Sequence, residues 1–314
     1  MSIRQTARAT RVDPRLPALA CVWLALGAAA AGSAAPKRTV QDDLGRAVIV
    51  RAPPLGIVSL TPGATEMLFA AGAAAEVIAT VEYSDEPPAA RGIARIGDVA
   101  AVDMERLVAL RPDVVVAWPA GGNPAQRQKI AALGIPIYQQ QVARLADLPP
   151  SLRRLGVLAG SEAAAERAAR ALEERLAALT RTYAGGAGGA GKRPSVLLQV
   201  WNRPIYTVGG RHLMSDALTI CGARSVFDDL SEAGPVVDTE AVIARNPDII
   251  LAVAPRGEGA AWVADWQRFG SLEAVRRHRV VAFEDQALSR LGPSVIDATE
   301  NLCRTLARIS RESY

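Results

Sequence analysis

Two aromatic side chains, Tyr83 and Trp118, stand where short apolar runs end. Tyr83 lies in the segment EYSDEPP, which follows the run 77–80, and Trp118 ends the aliphatic run 114–118. Aromatic residues are only 4% of the chain, so a ring in a loop is informative. If both runs are parallel strands, both rings lie at the carboxyl ends, where open α/β sheets bind ligands. The rings would offer broad apolar faces to such a ligand. The alternatives are a tryptophan packed in the core and a tyrosine exposed on a loop.

Residue types that support catalysis or metal binding are scarce. The only histidines, His212 and His278, leave little material for a metal site, and we read both as ordinary surface residues. An exported α/β enzyme is the alternative of a different class. However, G-x-S-x-G and H-E-x-x-H are absent, and the glycine run 185–191 follows a helical pattern, where it would not cradle phosphate in the usual way. A nitrogenase-like redox subunit would need several cysteine ligands for its cluster, more than the two cysteines, Cys221 and Cys303, that lie beyond the N-terminal segment. We therefore predict no catalytic residues, no metal site and no catalytic cofactor.

The N-terminal segment 1–35 predicts a secretory signal peptide, because a basic start, an apolar stretch and small residues follow one another. An uncleaved membrane anchor is the alternative. The segment contains four arginines and one aspartate, so its removal lowers the net charge from +4 to +1 and leaves no basic field for nucleic acid. Export also permits disulfides. With Cys21 removed, Cys221 and Cys303 remain, and we predict that they pair; reactive thiols or a pair of metal ligands are the alternatives.

Strands and helices alternate along the rest of the chain, which predicts α/β architecture with parallel sheets covered by helices. The length of 314 residues favours two domains. The predicted elements of the first half are a hairpin over 39–50, strands at 56–60, 77–80, 114–118 and 135–138, and helices from Thr61, from Asp103 and over 124–133. Those of the second half are strands at 195–200, 249–253 and 280–283, and helices over 213–221, from Asp238 and over 294–309.

An internal repeat indicates two related lobes. Residues 105–117 read ERLVALRPDVVVA and residues 240–252 read EAVIARNPDIILA, at a constant offset of 135. Between the halves, residues 148–183 have one long helical pattern, which predicts a rigid connector on the order of 50 Å long. We therefore expect two Rossmann-like lobes, 36–147 and 184–314, bridged by a single helix over 148–183. Two such lobes would enclose a ligand cleft.

Several segments together resemble the periplasmic binding proteins of ABC importers for cobalamin, haem and iron–siderophore complexes. They are SLTPGATEMLFAAGA, EYSDEPP, DMERLVALRPDVVVAW, GNPAQRQKIAALGIPIY and CGARSVFDDL, and the resemblance covers nearly the whole chain after the signal segment. Within this family the similarity is closest to the cobalamin receptors. The resemblance implies a two-lobed periplasmic receptor that delivers cobalamin to a permease dimer in the inner membrane, and we expect it to be a monomer.

The resemblance also implies a set of ligand-binding residues. Tyr83, Trp118 and Tyr206 match aromatic cleft positions of the family, and Arg290 in ALSRLGPS matches a polar cleft position that can donate to amides or phosphate. Trp201 lies on the same loop as Tyr206, where the family has a small residue. The alternative for Arg290 is a solvated loop arginine.

Three positions depart from the cobalamin receptors. Val99 and Gly234 replace cleft tryptophans, and Gln286 replaces an acidic residue. The ligand surface is therefore expected to be remodelled, so that another corrinoid, a haem or a siderophore is the alternative ligand. Haem would need an axial ligand, and Tyr83 could provide it.

The repeat places one glutamate at the start of each equivalent helix, Glu105 and Glu240. A carboxylate in the first turn is favoured by the helix dipole, and this is the simpler interpretation. The resemblance implies a second role, in which each glutamate docks on arginines of one of the two permease subunits. We therefore expect Glu105 and Glu240 to bind the permease.

Overall fold

A computed structural model describes residues 36–183 and 193–311. The predicted signal peptide lies outside these residues. Within them, no helix has the length and apolar character needed to cross a bilayer.

The strands are β1 (Lys37–Gln41), β2 (Ala47–Arg51), β3 (Ile57–Ser59), β4 (Val77–Thr80), β5 (Ala94–Arg95), β6 (Val114–Ala117), β7 (Ile137–Gln139), β8 (Ser195–Gln199), β9 (Ile205–Tyr206), β10 (Arg224–Ser225), β11 (Val236–Val237), β12 (Ile249–Ala252) and β13 (Val280–Ala282). The α-helices are α1 (Pro62–Ala70), α2 (Met104–Leu110), α3 (Pro124–Ala132), α4 (Leu148–Ala159), α5 (Glu162–Tyr183), α6 (Leu213–Ile220), α7 (Thr239–Arg245), α8 (Gly259–Gln267), α9 (Glu273–Arg276) and α10 (Val295–Arg311). This succession confirms the predicted α/β class, and each strand and helix predicted outside the connector 148–183 has a counterpart within a few residues.

The first sheet is parallel and has the strand order β5-β4-β3-β6-β7. Every residue of β3 and β6 is buried, because helices cover both faces of the sheet. The chain leaves β3 directly into α1, whose N-cap Thr61 accepts a hydrogen bond from the Ala64 amide while Pro62 fills the first helical position. The sheet therefore presents the start of α1 at its carboxyl edge.

The predicted hairpin is confirmed as the antiparallel pair β1 and β2. The side chain of Asp43 in its turn is fully buried, and it accepts hydrogen bonds from the Tyr138 hydroxyl at 2.8 Å and from the Ser151 hydroxyl at 2.7 Å. Arg154 pairs with the same carboxylate at 2.7 Å. Burial and the charge of Asp43 raise the pKa of the Tyr138 phenol far above its ordinary value, so it stays a donor. This network fixes the hairpin to β7 and α4.

The second sheet repeats the arrangement of the first. It is parallel, with the order β10-β8-β12-β13, and β12 is as completely buried as β6. The repeated helices α2 and α7 match in detail. Asp103 and Asp238 cap their N-termini, and each ends on a left-handed residue, Arg111 at φ 48° or Asn246 at φ 44°. The sequence repeat thus corresponds to the same helix–strand unit in both lobes.

The predicted single helix over 148–183 is wrong. Two helices, α4 and α5, cover this span, and Gly160 ends α4 in the left-handed conformation at φ 77°. The chain reverses there, and the helices pack closely because a Cβ on Gly156 would lie only 2.3 Å from that of Ala165. The second of these helices, α5, contacts α6 and α10 of the second lobe. Its 22 residues span about 33 Å rather than the predicted 50 Å.

The predicted disulfide is confirmed. Cys221, which follows α6, is bonded to Cys303 of α10, and both residues are fully buried. The bond joins two helices of the second lobe across 82 residues of sequence.

Residues 290–294 of the second lobe pack tightly against the start of α1. A Cβ on Gly63 would lie 2.7 Å from the backbone of Leu291, so this approach requires glycine. Glu66 of α1, only 5% exposed, pairs with Arg290 at 3.3 Å and accepts a hydrogen bond from the Ser294 amide at 3.1 Å. These contacts hold the carboxyl edges of the two sheets close together.

Candidate ligand-binding cleft

A cavity of about 370 Å³ opens between loops of the two lobes. This volume falls within the range of roughly 300–1,000 Å³ that is typical of small-molecule sites. The lining residues from the first lobe follow β3, β4, β5 and β6, which are consecutive in the sheet, and those from the second lobe include the segment after β13. They are Thr61, Pro62, Gly63, Tyr83, Val99, Trp118, His212, Gln286, Ser289, Arg290 and Leu291. The cavity therefore lies where the sequence places the ligand, at the carboxyl ends of the strands.

The ring of Tyr83 is exposed, although its loop is held in place by polar contacts. Its side chain is 74% exposed, and its backbone is left-handed at φ 64°, which is unfavourable for a residue other than glycine. Arg95 holds the loop by donating to the Ser84 carbonyl at 3.0 Å and pairing with Asp85 at 3.1 Å. The ring is thus available to a ligand while its backbone is fixed.

Trp118 lies at the end of β6 and is half-buried. Its ring packs on Gly121, where a Cβ would lie 2.0 Å from a ring carbon, so the loop can fold over the indole only because residue 121 is glycine. Arg127 closes this loop by donating to the carbonyls of Pro119, at 2.8 Å, and Gly121. One part of the indole therefore contacts its own loop while another lines the cavity.

Arg290 lines the cavity, but it is not a free cation. Its side chain is 23% exposed, and its guanidinium pairs with Glu66. The remaining N–H groups of the fork can still donate to amide or phosphate oxygens. Because the carboxylate offsets part of its charge, Arg290 suits a neutral or singly anionic ligand better than a strongly anionic one.

Trp201 and Tyr206 do not line this cavity. They face each other across an isolated antiparallel bridge, and Trp201 packs edge-to-face on Trp262 with ring centroids 6.5 Å apart. Trp201 is 53% exposed and Tyr206 38% exposed. Both rings therefore pack outside the cavity that Tyr83 and Trp118 line.

The structure places His212 in the cavity lining, so its interpretation as an ordinary surface residue is wrong. The imidazole caps α6: its Nδ1 accepts a hydrogen bond from the Met214 amide at 3.1 Å. Burial lowers the pKa of His212 to about 4, so the ring is neutral near pH 7. No local sequence pattern could have shown that His212 lines the cavity, because this placement depends on how the two lobes pack together.

Two of the three departures from the cobalamin receptors lie in the cavity. Val99 and Gln286 both line it, and the Gln286 amide donates to the Ala254 carbonyl at 2.6 Å. Gly234 lies outside, in a position where a Cβ would meet nothing within 4 Å. The predicted remodelling therefore falls partly on the cavity itself.

Glu105 and Glu240 lie away from the cavity, in the first turns of α2 and α7, and both are exposed. Asp103 and Asp238 already cap these helices, so neither glutamate is needed as a cap. Glu240 lines a separate surface cavity of about 530 Å³ in the second lobe.

Among residues 36–183 and 193–311, no group of three or more histidine, cysteine or acidic side chains is placed to hold a metal ion.

Several known proteins are similar to this chain in sequence or in fold. A family model described as periplasmic binding protein matches residues 57–287. The vitamin B12-binding protein of Vibrio cholerae serotype O1 is 32% identical over 254 residues, which cover 80% of this chain and 88% of that protein. The crystal structure of the periplasmic vitamin B12 binding protein BtuF of Vibrio cholerae aligns with a TM-score of 0.73 at 29% identity and covers 82% of this chain and 99% of its own. The periplasmic heme-binding protein BhuT aligns with a TM-score of 0.70 at 22% identity, covering 81% of this chain and 98% of its own, and so shares the fold. Since the family model spans most of the chain, this protein belongs to the periplasmic binding protein family.

Proposed function

We propose that this protein is a non-catalytic, monomeric receptor that binds cobalamin or a related corrinoid between its lobes. In this proposal the chain is exported to the periplasm and delivers the ligand to an ABC-type permease dimer in the inner membrane. Relatives of about 30% identity are named vitamin B12-binding proteins. This chain matches 90% and 88% of the length of two of these relatives, which supports proposing the complete receptor function for it.

The observation that carries the ligand assignment is the pair of rings at one cavity. Tyr83 and Trp118 come from loops on either side of β3, and both line the same space. A corrin ring is broad and largely apolar on its faces, and its rim carries amide side chains. Aromatic faces suit the ring, whereas Arg290 can donate to the amide oxygens at the rim.

Pre-organised loops support tight binding, because few side chains lose conformational freedom when the ligand binds. Arg95 fixes the Tyr83 loop, Arg127 fixes the Trp118 loop, and Glu66 fixes Arg290. Each side chain held before binding lowers the entropy cost of association, about 0.5–1.5 kcal/mol for a long side chain.

Isothermal titration of purified protein with cyanocobalamin, haemin and a ferric siderophore tests the ligand. We expect cyanocobalamin to bind most tightly and Trp118→Ala to weaken it roughly 5- to 150-fold, the scale of a lost aromatic anchor. Leu133→Ala, at an exposed apolar site at the end of α3, is the matched control and should bind normally. Tight binding of haemin without cyanocobalamin would overturn the assignment and direct attention to the Tyr83 phenol as an iron ligand.

We also propose that Glu105 and Glu240 dock on the permease. Their positions are equivalent in the repeat, both are exposed, and their helices are already capped by aspartates. A receptor built from two similar lobes can present one carboxylate to each half of a two-fold permease. Such exposed charges steer docking and set its register more than they add affinity.

Uptake of labelled cyanocobalamin by cells tests the docking residues. The double variant Glu105→Lys with Glu240→Lys should abolish uptake, whereas the affinity of the purified protein for ligand stays at the wild-type value. Glu174→Lys with Glu232→Lys makes the same change in charge at two other exposed positions and should transport normally. Normal uptake by the first double variant, or loss of its ligand binding, would refute the assignment.

A further inference from the structure

His212 occupies a position at which a side chain can serve both the fold and a ligand. It lines the 370 Å³ cavity with Tyr83 and Trp118, and it also lines a second cavity of about 480 Å³ that includes Arg144 and Asp216. The ring is therefore in contact with open space while it is largely buried. Leu213 and Met214, which follow it in the chain, are buried at the start of α6 and leave the residue little freedom to move.

The cap that His212 makes determines which ring nitrogen carries the proton. A backbone amide can only donate, so Nδ1 must present its lone pair to the Met214 N–H at 3.1 Å. In a neutral imidazole the single proton then resides on Nε2. Burial lowers the pKa of His212 to about 4, which keeps the ring in this neutral form near pH 7.

Nε2 lies on the side of the ring opposite Nδ1, away from the helix that Nδ1 caps. Among the residues that the structure describes, none accepts a hydrogen bond from it. Because the ring borders two open cavities, water can accept from Nε2 in the free protein, and a ligand oxygen can replace that water on binding.

We propose that the Nε2–H of His212 donates a hydrogen bond to an oxygen acceptor of the ligand in the cleft. This inference rests on the proposed function. For a corrinoid, the acceptor is a side-chain amide carbonyl or an oxygen of the nucleotide phosphate. Because its proton occupies the Nε2 lone pair, His212 acts as a donor and does not coordinate the metal of the ligand. It would favour ligands that place an oxygen beside the imidazole.

Two substitutions separate the ligand role from the cap. In His212→Asn the amide oxygen can take the place of Nδ1, and asparagine is a preferred N-cap, but the distal donor is lost. In His212→Gln the amide nitrogen can take the place of Nε2, but the cap is lost. We expect His212→Asn to keep the wild-type melting temperature and to weaken cyanocobalamin binding roughly 5- to 15-fold. We expect His212→Gln to lower the melting temperature by roughly 2–4 °C and to retain most of the affinity.

Titration with two probes distinguishes the sources of the acceptor. Cyanocobalamin contains the nucleotide and its phosphate, whereas dicyanocobinamide lacks both. A loss of affinity in His212→Asn for both probes places the acceptor on a corrin amide; a loss for cyanocobalamin alone places it on the nucleotide. Wild-type affinity of His212→Asn for cyanocobalamin would overturn the inference while leaving the proposed function intact. Equal weakening by both substitutions, with matching losses of stability, would also overturn it. If the wild-type protein binds neither probe, the proposed function itself fails and the inference fails with it.

Discussion

Removal of the disulfide should destabilise the second lobe strongly, and the loss of stability can be worked out from the structure. The bond joins the C-terminal end of α6 to α10 across 82 residues. In the chain-entropy model, releasing a loop of this length from the unfolded state costs about 4.5 kcal/mol. The double variant Cys221→Ala with Cys303→Ala should lose about that much free energy of unfolding. For a chain of this size the melting temperature should fall by roughly 10–15 °C.

Urea unfolding followed by circular dichroism, with and without reductant, measures this effect. Both cysteines are fully buried, so reductant should act on the wild-type protein only as it unfolds and should leave the double variant unchanged. In reductant, the two proteins should therefore approach the same stability. A double variant within about 1 kcal/mol of the oxidised wild type would refute the reasoning, because the unfolded chain would then gain little freedom. So would mass spectrometry that finds two free thiols in periplasmic protein.

Two further predictions concern a buried ion pair and the response to acid. Glu66→Gln leaves Arg290 without its counter-ion at a half-buried site, so the free energy of unfolding in urea should fall by roughly 1–3 kcal/mol. Glu86→Gln, at the exposed pair with Arg91, is the control; an equal effect of the two substitutions would contradict a structural role for the contact between the lobes. His212 has its pKa lowered to about 4 in the folded protein, so the unfolded chain binds its proton first as pH falls; stability should be complete above about pH 6.5 and should decline toward pH 4 by about 3 kcal/mol. His212→Asn should flatten this part of the stability curve, and an unchanged slope would show that other groups cause it.

Local chemistry was sufficient to predict most elements. Thr61 before proline, and Asp103 and Asp238 at the repeated helices, marked helix starts that the structure confirms, because a cap acts on amides two or three residues away. The repeat at an offset of 135 predicted two similar lobes, and the two exported cysteines predicted their bond.

The break within the connector shows where local reading fails. Residues 148–183 contain many strong helix formers, so local propensity favours one continuous helix although Gly156 and Gly160 lie within the span. The reversal at Gly160 becomes favourable because α4 and α5 can then bury their apolar sides against each other and against the rest of the protein. Packing of distant residues therefore decided the length of the connector.

The candidate site divides in the same way. Tyr83 and Trp118 could be predicted as cleft residues because the carboxyl ends of parallel strands lie at one edge of a sheet. The other lining residues depend on contacts between residues far apart in sequence. Arg290, which the family resemblance but no local pattern predicted, meets Glu66 across 224 residues, and His212 joins the cavity only where the second lobe meets the first. Sequence alone therefore determined the elements, the lobes and the edge that holds the cleft, because short-range caps and periodicity encode them. Only the tertiary structure decided which side chains share the cavity and which, like Trp201, lie outside it, because those contacts arise when the two sheets pack together.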